Sequence, residues 1–221
     1  MGAVPSLRAL GAVAANILGE LVGPSRCAAC DLPVTASVLF CPPCAASVEH
    51  APERDVHTSG WTSAFEYGGA MATAITRLKY EDRADLGPLL GRSMLRVSES
   101  FRGAVDLVVP VPLHPRRLAD RGYNQAALLA APVARSLGVE LAPRALERHR
   151  DTTRQASLDR ERRIVNVAGV FTARDPSRMD GARVLLVDDV RTTGATLEGC
   201  TAALRDVGVR AVLALVLAHR A

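Results

Sequence analysis

Aromatic residues are scarce in this chain. Phe, Trp and Tyr make up 4% of its 221 residues, with one Trp in all. The core must therefore be built from Ala, Val and Leu, and recognition of single-stranded nucleic acid by stacked aromatics has few residues to work with. Lysine is nearly absent too: Lys79 stands alone among 27 basic residues. No apolar run approaches the ~18 residues that span a bilayer, which argues against a transmembrane protein. An early cationic region followed by an unbroken apolar stretch, the mark of an export signal, is also missing. Arg8 is the only early cation, and Asn16 and Glu20 interrupt the run. A cytoplasmic protein is expected. What is present is ordinary for a packed domain, with 48% hydrophobic and 23% charged residues, and this excludes disorder over most of the chain.

The formal charge of +4 is unevenly spread. Residues 1–60 hold three Arg and five acidic residues, whereas residues 144–163 hold seven Arg and four acidic residues. That second stretch reads either as a solvated Arg-rich face or as an arm that closes on a polyanion such as a diphosphate.

Four of the five cysteines form two close pairs, Cys27/Cys30 and Cys41/Cys44. Two Cys-x2-Cys turns present four thiolates to one point, the arrangement of a structural zinc ion, and four thiolates leave no open coordination position for chemistry. Two disulfides or a redox-active pair are the alternatives. The first needs an oxidising compartment, and the second needs only one pair. Residues 31–40 read as a hairpin between the knuckles. His50 and His57 lie nearby but are not needed as ligands. Cys200 reads as a small buried residue on a helix.

Leu7, Leu10, Val13, Ile17 and Leu21 recur at helical spacing, so residues 1–23 are expected to form an amphipathic helix. Residues 24–48 form the metal module, 49–60 a polar linker and 61–221 the main domain. Within that domain the pattern predicts a strand at Trp61–Tyr67, helices over Gly69–Tyr80 and Leu86–Phe101, and a buried strand in VDLVVPVP. A helix over Asn124–Leu137 follows, then a strand near Phe171, the strand RVLLVDD, a helix over Gly194–Val207 and a final strand, VRAVLALVLA. Short all-apolar strands alternating with helices mark an α/β fold whose parallel sheet is covered on both faces.

The most informative stretch is Val184–Leu197, VLLVDDVRTTGATL. A buried strand delivers Asp188 and Asp189 to its carboxyl end, where open α/β sheets bind ligands. A Thr- and Gly-rich turn and a helix follow. The amides and hydroxyls of Thr192, Thr193, Gly194, Ala195 and Thr196, with the positive end of the helix, suit a monophosphate. The adjacent carboxylates suit a vicinal diol or a divalent ion. An acidic helix cap is the plainer reading, but two acids and a Thr-Thr-Gly-Ala-Thr run exceed what a cap requires.

This run resembles the 5-phosphoribosyl-1-pyrophosphate (PRPP) motif of type I phosphoribosyltransferases. Together with the four-cysteine module, LKY at 78–80, RGYNQ at 121–125 and RQASLDRERRIVN at 154–166, residues 24–219 are similar to the ComF family, linked in bacteria to DNA uptake. The resemblance implies a type I phosphoribosyltransferase-like parallel sheet with a small N-terminal zinc ribbon. It places Asp188 and Asp189 on the ribose hydroxyls and residues 192–196 on the 5-phosphate. The diphosphate falls at Pro110–Pro115, with Arg116 and Arg117 beyond. A hood spans about 148–167, with Arg154 and Gln155 as closing residues. Arg121 and Asn124 are candidate ligand contacts, with helix capping as their plainer role, and His114 and Lys79 are weaker ones. The implied cofactors are structural Zn2+ and Mg2+ with PRPP. Three functions are open on this reading: a phosphoribosyltransferase acting on a base-like acceptor, a non-catalytic sensor of PRPP or a nucleotide, and an accessory protein that binds single-stranded DNA or DNA-uptake proteins. Oligomeric state is not legible.

Overall fold

The computed structural model describes residues 25–35, 38–149 and 169–220. The expected N-terminal helix at 1–23 and most of the expected hood, including Arg154 and Gln155, lie outside the described residues.

Among the described residues there are seven strands: β1 (Trp61–Glu66), β2 (Leu107–Pro110), β3 (Glu140–Leu141), β4 (Leu146–Arg148), β5 (Phe171–Ala173), β6 (Arg183–Arg191) and β7 (Ala211–His219). Five of them form one sheet in the order β1-β7-β6-β2-β3, with every pairing parallel. The longer helices are α1 (Gly69–Tyr80), α2 (Leu86–Ser93), α3 (Pro115–Arg121), α4 (Gln125–Leu137) and α5 (Ala195–Arg205). The strand near Phe171 is present but belongs to a separate antiparallel ribbon, β4–β5.

Strand alternation splits the core in two. Leu185, Val187, Leu215 and Leu217 face Met71, Leu78, Leu90 and Leu129 from α1, α2 and α4. Leu186, Val184 and Val216 face Leu197, Cys200 and Leu204 of α5, with Leu146 and Phe171 of the ribbon beside them. Cys200 is fully buried there, as its sequence context suggests. A central parallel strand covered on both faces needs an unbroken apolar run, which Val184–Val187 supplies.

Three expectations differ in detail. The single helix over Leu86–Phe101 is divided into Leu86–Ser93, Leu95–Ser98 and a 3-10 turn at Glu99–Phe101. The hydroxyls of Ser93, Ser98 and Ser100 donate to the carbonyls of Leu90, Leu95 and Val97, drawing acceptors away from the regular ladder. Strand β6 does not stop at the acids; pairing with β7 carries it on to Arg191. Residues 49–60 run along the outer edge of β1, where Glu49 and Ala51 exchange backbone hydrogen bonds with Glu66 and Ala64. Asp55 caps a single turn there, and Val56 is buried.

The segment carrying the first two cysteines docks on α1. Arg77, almost buried, donates to Asp31, Glu81 and the carbonyl of Ala28. Arg83 adds a second bond to Asp31 at 3.0 Å. Ser47, just past Cys44, accepts from Ala70 N–H at the head of α1. Gly69 has φ of 48°, and a Cβ there would sit 2.1 Å from the Ser47 carbonyl, so only glycine fits this junction.

Candidate functional site

The four cysteines converge. Their Sγ atoms all lie within 4.8 Å of one another, with Cys30 and Cys41 sulfurs 3.5 Å apart. A tetrahedron with Zn–S bonds of about 2.3 Å has sulfur edges of about 3.8 Å, so the set fits a four-coordinate ion. The first knuckle is tied by Cys27 N–H to Leu32 O and Asp31 N–H to Cys27 O, with a backbone bridge between Arg26 and Pro33. The expected hairpin over 31–40 is described only in part, because residues 36 and 37 fall outside. Burial pushes the Cys27 thiol up, but backbone N–H groups, that of Cys41 foremost, outweigh it and bring the thiol to about 6. A thiol already biased to thiolate is a ready metal ligand. Burial and the neighbouring sulfurs push Cys44 up to about 12, as befits clustered thiols that cannot all ionise without a cation.

Near the carboxyl end of β6 the two acids are buried, with Asp188 8% and Asp189 3% exposed. Successive strand residues point to opposite faces. Asp189 meets Lys79 near the end of α1, with Nζ to Oδ1 at 2.8 Å. Its other oxygen, Oδ2, is buried without a hydrogen-bond partner. Asp188 Oδ1 accepts from the Asp189 N–H at 2.8 Å. Burial, then the adjacent Asp189 charge, pushes the Asp188 carboxyl up to about 7, against the pull of Lys79. Burial would lower Lys79, but Asp189 outweighs it and holds the ammonium above its ordinary range. Together the two acids and one lysine form a net-negative, desolvated set.

The threonine turn directly follows. Thr192 and Thr193 are exposed, and Thr196 is half-buried at the first turn of α5. Gly194 is the N-cap of α5 with φ of 89°, and a Cβ there would lie 2.7 Å from Arg191 Nη2. The amides of the first helical turn have no partners within the helix, so the turn presents donors to a ligand.

The segment after β2 lies beside this edge: Val111 N–H bonds the carbonyl of Val187, the residue before Asp188. His114 caps α3, accepting from Arg116 N–H, and Arg116 and Arg117 lie in its first turn. Asn124 caps α4 through Oδ1, while its Nδ2 donates to Val111 O. Its side chain thus clamps the head of α4 to the end of β2. Arg121 bonds Gln125 and lies 5.4 Å from the centre of the Tyr80 ring, and Tyr123 Oη donates to Leu78 O at 2.5 Å. The LKY and RGYNQ segments, distant in sequence, are therefore in contact. The Lys79–Asp189 pair is the part of this edge that the sequence least revealed, since a lone lysine on a helix reads as solvated.

Residues 124–221 match the phosphoribosyl transferase domain family. The chain is 31% identical over 193 residues to DNA utilization protein YhgH of Escherichia coli K12, covering 84% of this chain and 80% of that protein. It is 32% identical over 148 residues to competence protein F of Haemophilus influenzae (64% and 65% of the two chains). Competence protein ComFC of Bacillus subtilis is 26% identical over 147 residues (66% and 58%). Among solved structures, purine phosphoribosyltransferase from Pyrococcus horikoshii superposes with a TM-score of 0.39 at 20% identity, covering 59% of this chain and 73% of that one. With a parallel sheet flanked by helices, a phosphoribosyl transferase domain, a four-cysteine cluster before it and relatives bearing the competence and DNA-utilization names, this chain belongs to the ComF family.

Proposed function

We propose that the chain binds PRPP at the carboxyl end of β6, with Mg2+, and serves DNA uptake or utilization as a phosphoribosyl-binding or phosphoribosyl-transferring protein. The observation that carries this reading is the placement of Asp188, Asp189 and the Thr192–Thr196 turn on one strand–helix junction. Buried acids that lack a full set of donors suit a ribose diol, and the orphan Oδ2 of Asp189 is such an acceptor. The turn suits the 5-phosphate, whose remote binding energy would position the ring. Lys79 holds Asp189 oriented until the hydroxyls arrive. Magnesium, when bound, would neutralise the diphosphate, and the acids stand where positive charge develops on the sugar in a displacement at its anomeric carbon. No side-chain nucleophile is required. The four cysteines hold a structural zinc ion in this reading. The DNA role rests on the names of the relatives, which describe those proteins.

Calorimetric titration with PRPP, with and without Mg2+, tests the reading. Saturable, Mg2+-dependent binding is expected, lost on Asp188→Asn/Asp189→Asn. A flat titration with Mg2+ rejects it. Diphosphate release on adding a base distinguishes transfer from sensing.

A further inference from the structure

A cavity lies away from the acids, on the α5 face of the sheet near its β1 edge. It has a volume of about 380 Å³, within the usual range for small-molecule pockets. Leu197, Glu198, Thr201 and Arg205 form one wall, a stripe of α5 at helical spacing. Trp61 and Val212 belong to the opposite side. At ~1.5 Å rise per residue, the stripe from Leu197 to Arg205 runs about 12 Å, so the cavity is an elongated groove.

Its charges are unbalanced. Trp61, the one tryptophan of the chain, carries the Arg191 guanidinium at 3.9 Å from its ring centre and that of Arg54 at 4.6 Å. Among the described residues, no carboxylate lies within ion-pair reach of Arg54, Arg191 or Arg205. Three guanidinium groups at the groove and its rim stand against the one carboxylate that lines it, Glu198. Arg191 is held below its ordinary range by burial, and the field of Glu198 only partly offsets this. A half-buried cation without a counter-charge is costly, and the Arg191 guanidinium over the Trp61 ring carries N–H donors suited to a bidentate anion. Arg191 and Arg54, both over the Trp61 ring, bring two positive charges to one end of the groove, which suits a phosphate dianion. The apolar surfaces of Leu197, Val212 and Ala214 call for a flat, weakly polar body beside it.

We propose that this groove binds a small phosphorylated ligand with a flat ring, of nucleoside-monophosphate size, with its phosphate on Arg191 and its ring between Leu197 and Val212. The site is separate from the acids of β6. It meets the threonine turn only at Gly194, which lines the groove and packs against Arg191.

Trp61 makes the test direct, because emission from the sole tryptophan reports on this groove. The zinc-loaded full chain is titrated with the four nucleoside 5′-monophosphates, with the parent nucleosides and with inorganic phosphate. At least one monophosphate is expected to shift Trp61 emission saturably with a midpoint below ~1 mM. Its nucleoside and inorganic phosphate should each be about tenfold weaker. Arg191→Gln should raise the midpoint about tenfold. Because that change also alters the indole's surroundings, Ala202→Phe, at an exposed α5 position lining the groove, is measured beside it by calorimetry. It should abolish binding while leaving the circular dichroism and melt unchanged. Asp189→Asn should leave the response intact. The proposal is overturned if no monophosphate gives a saturable response, or if inorganic phosphate binds as tightly as the monophosphates. It is also overturned if both groove variants bind normally, or if Asp189→Asn removes the response, which would place the ligand at the acids.

Discussion

Replacing Asp188 by Asn should stabilise the protein, and increasingly so as the pH rises. The carboxyl is buried beside a second carboxylate, which raises it from 3.8 to about 7. An acid raised in the folded state costs nothing below its unfolded value. Between that value and the folded one the native state holds a proton that the unfolded chain has lost, so stability falls with pH. Above the folded value the cost is complete. About 3 units at 1.36 kcal/mol each set it at about 4 kcal/mol at pH 8, and about 1–2 kcal/mol at pH 5. Asparagine keeps an oxygen to accept the Asp189 N–H, so the 2.8 Å hydrogen bond survives while the charge is removed. Urea unfolding of both proteins, metal-loaded, at pH 5 and pH 8 reads the difference from the midpoints and slopes. The variant should gain about 1–2 kcal/mol at the lower pH and about 4 kcal/mol at the higher. A gain independent of pH, or a variant less stable than the parent at pH 8, refutes the claim that a desolvated charge is stored there. A site that keeps such a charge at the expense of stability is built for something other than folding.

Three further predictions follow from the same geometry. Lys79→Met strands the buried Asp189 charge and should cost about 2–3 kcal/mol, most of it recovered in Lys79→Met/Asp189→Asn; a double-mutant cycle in urea checks the coupling, and independent, additive losses would contradict it. Zinc analysis of reduced, unchelated protein should find about one ion per chain, and Cys27→Ser or Cys44→Ser should lose both the ion and thermal stability; metal-free protein with an unchanged melt rejects the zinc site. Arg77→Met removes the donor that Asp31 and the Ala28 carbonyl share on α1 and should cost about 3 kcal/mol by urea unfolding; a loss under about 0.5 kcal/mol would show that Arg77 does not hold the cysteine segment in place.

Much of the fold was legible because its determinants are local. The short, β-branched-rich apolar run at Val184–Val187, closed by two acids and a Gly-containing turn, reads as a buried strand, and cysteines at two-residue spacing fold back on their own knuckle. The acid–threonine junction was legible for the same reason, since strand, acids, turn and helix are contiguous. Contacts across long sequence separations were not. Lys79 finds Asp189, Tyr123 finds Leu78, and Arg191 lies on Trp61 only after the sheet has formed. The division of Leu86–Phe101 depends on serine hydroxyls choosing backbone partners, which spacing does not reveal. Residues 49–60 look like a linker by composition, yet the exposed edge of β1 recruits their backbone and Val56 goes inward.

The claim on which the account turns is that a sugar phosphate sits at the end of β6, between the aspartates and the threonine turn. A crystal soaked with PRPP and Mg2+ tests this most directly. Electron density is expected with the ribose hydroxyls on Asp188 and Asp189 and the 5-phosphate on the amides of residues 192–196. A soaked crystal that diffracts well and shows that edge unaltered, with Lys79 still on Asp189 and no density beside it, would contradict it.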